Sequence, residues 1–163
     1  MNWMKKVAVA LVCLLPLGLQ AAKVDTLQVK SPSMNKSIEV VVVSPDVAVT
    51  KACPVIYLLH GYGGNARTWV GIKPDLPKIA DEKGIFFVCP DGKNTWYWDS
   101  PLNADVRYET FISNELVKYV DSHYKTVADR KGRAITGLSM GGHGAMWNGL
   151  RPVSYTHLRA HET

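Results

Sequence analysis

Three short apolar runs constrain this chain more than any other feature: "PVIYLLHG" at residues 54–61, "GIFFVCPDG" at 84–92 and "GRAITGLS" at 132–139. Each ends in Gly, Asp or Ser and carries too little polar alternation for a half-solvated strand. Runs of this kind suit strands covered on both faces, as a parallel sheet requires. The segments between them have helical spacing. In "ETFISNELVKYVDSHYKT", Ile112, Leu116, Val120 and Tyr124 recur every fourth residue and form one apolar stripe. "PDLPKIADEKG" is a shorter helix that stops at Gly84. Upstream, "DTLQVKS" and "KSIEVVVVSP" read as two strands paired antiparallel. Strands that then alternate with helices predict an α/β fold, a mostly parallel sheet covered by helices.

A chain of 163 residues, 47% hydrophobic and 20% charged, holds one domain and one core. Its formal charge of +5 includes Lys5 and Lys6, no basic cluster follows a helix, and no nucleic-acid motif is present. No nucleic-acid partner is expected. Residues 1–22 show the order of a secretory signal peptide: Lys5 and Lys6, an apolar run from Val7 to Leu19, then Ala21 and Ala22. The run is shorter than the roughly 18 residues a spanning helix needs, so the expectation is a secreted or periplasmic protein without a stable membrane anchor. Cys53 and Cys89 stand at the start of one apolar run and the end of the next. On parallel neighbouring strands their sulfurs lie far apart, and two buried free thiols are expected.

The stretch "AITGLSMGGHGA", residues 134–145, carries the chemistry. Gly137, Ser139 and Gly141 form Gly-x-Ser-x-Gly directly after the strand "RAITGL" and before the helical segment "MGGHGAMWNGL". At such an elbow the serine takes a strained conformation, and glycines two residues to either side avoid collision. The following helix turns its free N–H groups and positive end toward the site where an oxyanion would form. A second donor is expected from "LLHGYGGN", where Gly61, Gly63 and Gly64 let the backbone approach a substrate. Tyr62 N–H, beside Met140 N–H, is the candidate. This loop lacks the Lys-Ser or Lys-Thr of a P-loop, and neither glycine cluster has dinucleotide-site spacing. In "PDGKNTWYWDSP", Trp96, Tyr97 and Trp98 either flank the same crevice as a substrate-binding wall or pin a loop.

Together, "YLLHGYGG", "CPDG…WYWDSP" and "GLSMGGHGA" resemble the esterase family of α/β-hydrolases, which includes S-formylglutathione hydrolases, feruloyl and acetylxylan esterases and secreted mycolyltransferases. The resemblance covers residues 32–151. It implies Ser139 as nucleophile, Tyr62 and Met140 as backbone oxyanion donors, and no metal or organic cofactor. It also implies a triad acid and then a histidine after the serine. Downstream of Ser139 the only acid is Glu162, with no histidine after it. His143 lies one helical turn beyond the serine and reads as structural, and neither His60 nor His123 is well placed as the base. The end, "PVSYTHLRAHET", offers no expected strand or turn chemistry and resembles a translated adapter sequence. The expected division is a signal peptide at 1–22, the N-terminal part of the hydrolase domain at 23–151, truncated after the nucleophile helix, and a non-native tail at 152–163. The expected parent is a secreted serine carboxylesterase acting on a small-molecule or polysaccharide ester. Acetyl or feruloyl groups on plant cell-wall polysaccharide are the leading substrates, and this fragment is expected to be inactive. The alternatives are an acyltransferase and a non-catalytic carbohydrate-binding relative.

Overall fold

A computed structural model describes residues 22–151 and the backbone of residues 157–161. The proposed signal peptide therefore lies outside the described residues except for Ala22. Among the described residues no helix is long and apolar enough to cross a membrane.

Strands β1 (Lys23–Ser31) and β2 (Lys36–Ser44) form an antiparallel ribbon with Lys23 opposite Ser44. β2 then pairs antiparallel with β4 (Phe86–Pro90). β4 runs parallel to β3 (Val55–Leu59), which runs parallel to β5 (Arg133–Leu138). With β6 (His157–His161) at the far edge, the described sheet has the order β1-β2-β4-β3-β5-β6. The three apolar runs thus lie at its centre, where both faces are covered. The short α1 (Thr68–Ile72) and α2 (Leu76–Lys83) belong to one face, packed on Val41, Val43, Leu58 and Phe87. Gly84 ends α2 in a left-handed conformation, φ 62°, its N–H reaching the carbonyls of Ala80 and Asp81.

The opposite face is larger. It packs Val40, Val42, Tyr57 and Val88 against α3 (Tyr108–Thr110), a π-helical stretch (Phe111–Glu115), α4 (Leu116–His123) and α5 (Met140–Leu150). Ile112, Leu116 and Val120 are fully buried, as the fourfold spacing predicts. Tyr124 lies just past the end of α4 in an extended conformation and still packs, half-buried, against the same core. Cys53 and Cys89 are both buried and free, and burial pushes both thiols above their ordinary range, Cys89 the further.

The tail differs from the sequence expectation. Residues His157–His161 form β6, parallel to β5, with Ala134 opposite His157. The side chains of this segment carry no strand signal. An open parallel edge, however, recruits an extended segment through main-chain groups alone.

Candidate active site

Ser139 joins β5 to α5 with φ 53° and ψ −116°, a region costing a non-glycine residue of order 1–3 kcal/mol. Its side chain is exposed at the C-terminal end of the sheet. The flanking glycines have specific reasons. A Cβ on Gly137 would stand 2.2 Å from the Gly141 carbonyl oxygen, and one on Gly141 would stand 2.2 Å from the Leu59 carbonyl oxygen. The first collision is within the elbow. The second is with the end of β3, so α5 is pressed against that strand just where the next loop begins.

That loop backs onto the elbow. A Cβ on Gly61 would lie 3.3 Å from Leu138 O and 3.7 Å from Ser139 Cβ. Gly61–Gly64 closes as a turn through Gly64 N–H to Gly61 O at 3.1 Å, with Gly63 at φ 78° as the third position of a type II turn demands. The Gly61 oxygen also takes the Nδ1–H of His60 at 2.7 Å. His60 is buried, and its Nε2 accepts Gly92 N–H at 2.9 Å, which leaves the ring proton on Nδ1. In a trans peptide the C=O and N–H point opposite ways. Fixing the Gly61 oxygen therefore fixes the direction of Tyr62 N–H. The Tyr62 ring is exposed, whereas Met140, the first residue of α5, is buried with its N–H among those the helix leaves without an internal acceptor. Gly63 N–H donates to Asn94 Oδ1 at 2.7 Å, tying this turn to the loop after β4.

The loop after β4 holds Lys93, Trp96 and Tyr97 at φ 50°, 55° and 58°. Its consecutive rings differ in burial: Tyr97 pins the loop, and the two tryptophans face outward. Tyr97 is fully buried, donates its hydroxyl to His60 O at 3.0 Å, and accepts Asn148 Nδ2 on its carbonyl at 2.9 Å. Trp96 and Trp98 stay exposed, with Trp96 edge-to-face on His143 at 5.4 Å. Asp91, at the start of the loop, is buried beside Lys93, which supplies Nζ at 2.6 Å and its backbone N–H at 2.9 Å. Burial raises the Asp91 carboxyl, but hydrogen bonds outweigh it and hold the group well below the usual carboxylate range. His60 Nε2 lies 3.5 Å from Asp91 and is already occupied by Gly92 N–H, so Lys93 is the partner that counts.

The structure thus brings together Ser139, Met140, Gly61 and the Tyr62 turn, with Trp96 linked to the same helix through His143. Sequence reasoning missed His60 and Asn94, which brace the turn. The signal for His60 was its place directly before the glycines; Asn94 carries none. Among the described residues no histidine nitrogen is hydrogen-bonded to Ser139 Oγ. No three His, Cys, Asp or Glu side chains there gather as a metal would require.

A mixed sheet in this strand order, with a serine elbow leaving the end of its fifth strand, defines an α/β-hydrolase fold. Within that class the chain belongs to the family described as "Putative esterase", whose model matches residues 31–161. It is 33% identical over 97 residues to an acetyl esterase of Caldicellulosiruptor saccharolyticus, covering 59% of this chain and 35% of that protein. It is 35% identical over 100 residues to an esterase of Mycobacterium tuberculosis, covering 57% of this chain and 21% of the other. Among solved structures, a ferulic acid esterase superposes with a TM-score of 0.69 at 31% identity, over 81% of this chain and 56% of that one. An S-formylglutathione hydrolase from Agrobacterium tumefaciens shares the fold with a TM-score of 0.74 at 23% identity, over 87% of this chain and 57% of that one. The chain thus spans about a third or less of these curated relatives and just over half of these solved ones.

Proposed function

We propose that this chain is the nucleophile-bearing part of a secreted serine carboxylesterase. The observation that carries the reading is the exposed Ser139, held at a left-handed elbow directly against the Gly61–Gly64 turn. Ser139 Oγ attacks the ester carbonyl as a histidine takes its proton; the carbonyl oxygen becomes an oxyanion between Tyr62 N–H and Met140 N–H. The alcohol leaves with that proton, and water then releases the acid from the acyl-serine. Trp96 and Trp98 offer exposed planar surface for the acyl group. Acetyl or feruloyl groups on plant cell-wall polysaccharide are the proposed substrates, supported by the acetyl esterase and ferulic acid esterase likenesses.

The acid and the base are assigned to sequence beyond this chain. His60 spends both ring nitrogens on Gly61 O and Gly92 N–H, His123 turns Nδ1 to Tyr119 O, and His143 turns Nδ1 to Trp96 O. The 163-residue chain is therefore expected to hydrolyse p-nitrophenyl acetate no faster than its Ser139→Ala variant. In the protein extended through a downstream acid and histidine, Ser139→Ala should cost about 10⁴-fold or more in kcat with an unchanged circular dichroism spectrum. An extended Ser139→Ala protein that keeps its turnover ends the proposal.

A further inference from the structure

Ala22, directly before β1, is built into the fold. Its methyl packs against the core cluster of Val41, Val43, Leu58 and Phe87, and its N–H donates to Asp81 Oδ2 on α2 at 2.7 Å. The other oxygen of that carboxylate, Oδ1, takes Asp46 N–H at 2.8 Å from the turn after β2. One side chain of α2 therefore holds both the entry to β1 and the exit from β2, which the register brings side by side with Lys23 opposite Ser44. Val43 stands opposite Phe87 at the start of β4, so this is the end of the sheet away from Ser139. β1 is the edge of the described sheet, and strand ends at an edge fray unless they are tied down.

Asp81 lacks a counter-charge. Among the described residues two backbone N–H groups reach its carboxylate and no cation pairs with it: Lys78 on the same helix pairs with Glu82 at 3.6 Å, and Lys23 beside Ala22 pairs with Asp25 at 3.0 Å. A half-buried carboxylate in this state gains from an opposite charge within about 4–6 Å. The Ala22 nitrogen already stands in that place. Hydrolysis of the Ala21–Ala22 peptide bond puts the hydroxyl of water on the Ala21 carbonyl carbon and leaves Ala22 with a free amine. An α-amine with an ordinary value of about 7.7–8.0 takes up a proton at neutral pH and becomes an ammonium. The sequence puts an alanine before either of two bonds, Ala21–Ala22 and Ala22–Lys23, and so does not choose between them. The structure separates them. A cut after Ala22 removes the packed methyl and the 2.7 Å bond, whereas a cut before it keeps both and makes that hydrogen bond charge-assisted, roughly twice as strong.

We propose that Ala21–Ala22 is the processing site of this chain, cut by the peptidase that removes the leader, and that the freed Ala22 ammonium takes Asp81 as its counter-ion. The proposal rests on the secreted reading and moves the boundary expected after residue 22 back by one. Leader removal then anchors the edge strand β1 to α2. The test expresses the 163-residue chain with its leader in a secreting host and weighs the exported protein intact. The expected mass is that of Ala22–Thr163. Its α-amine is then dimethylated with isotope-labelled formaldehyde, which keeps the charge, and titrated by NMR. The midpoint is expected about one pH unit higher than in Asp81→Asn, because a carboxylate beside the amine favours its charged form. The same amine in urea-unfolded protein is a second reference, so the comparison stands if the variant does not fold. An exported chain that starts at Lys23 or elsewhere overturns the proposal alone, and a retained leader overturns it together with the secreted reading. A midpoint that a folded Asp81→Asn protein shares, or that unfolding leaves unchanged, overturns the ion pair.

Discussion

At the scale of single residues, the site separates what a side chain does from what a backbone does. In the proposed mechanism Ser139 contributes its hydroxyl, whereas Tyr62 is assigned an N–H that alanine also has. In the extended enzyme Tyr62→Ala should lower kcat only slightly, and Tyr62→Pro, which deletes the donor, by about 10² to 10³-fold. Equal damage from the two substitutions, both shown folded by circular dichroism, would move the chemistry to the phenol. Asp91 makes a stability prediction. Its folded carboxyl sits below the unfolded value of about 4, so its contribution is complete above that pH and is lost as pH falls through the folded value. Asp91→Asn should cost about 1–2 kcal/mol at neutral pH, discounted because Lys93 is largely exposed. The loss should shrink toward pH 2. A deficit that stays constant from pH 7 to pH 2 in urea titrations would show that Asp91 acts through packing instead of charge.

At the scale of elements, the legible parts of the fold were those with a period or a punctuation mark. The unbroken apolar runs marked β3, β4 and β5, Gly84 marked the end of α2, and the fourfold stripe marked α4. The strand β6 was not legible, because edge pairing through main-chain groups leaves no side-chain period. Nor was the π-helical stretch Phe111–Glu115, where one extra residue per turn shifts the register without changing the composition. The elbow could be read because glycine and serine there answer a steric demand. The bracing between loops could not, because a hydrogen bond from Gly63 to Asn94 pairs residues far apart in the chain. That bond carries its own expectation. Asn94→Ala should lower kcat about fivefold at nearly constant KM by loosening the Tyr62 turn, and Asn94→Asp, which keeps the acceptor, should restore it. A change confined to KM would place Asn94 in substrate binding.

For the molecule as a whole, one buried amide joins the loop after β4 to the helical layer. Asn148 on α5 donates to Tyr97 O and Gly144 O and takes the hydroxyl of Ser113 from the π-helical stretch, with no solvent exposure. Asn148→Asp removes both donors and buries a carboxylate, so a loss of about 3 kcal/mol or more is expected in chemical denaturation. A loss under about 1 kcal/mol would mean that the loop after β4 holds its shape without it. The same loop shows how far apart in the chain one steric decision reaches. The Tyr97 ring fills the space in which a Cβ on Gly92 or on Gly144 would sit, at 2.0 Å and 2.4 Å. Three positions on one loop and a helix thus share a single volume. A descendant lineage cannot acquire alanine at either glycine while the ring remains, and a smaller residue at 97 would release both glycines to vary. These three sites therefore form one unit of inheritance, free to change only in that order.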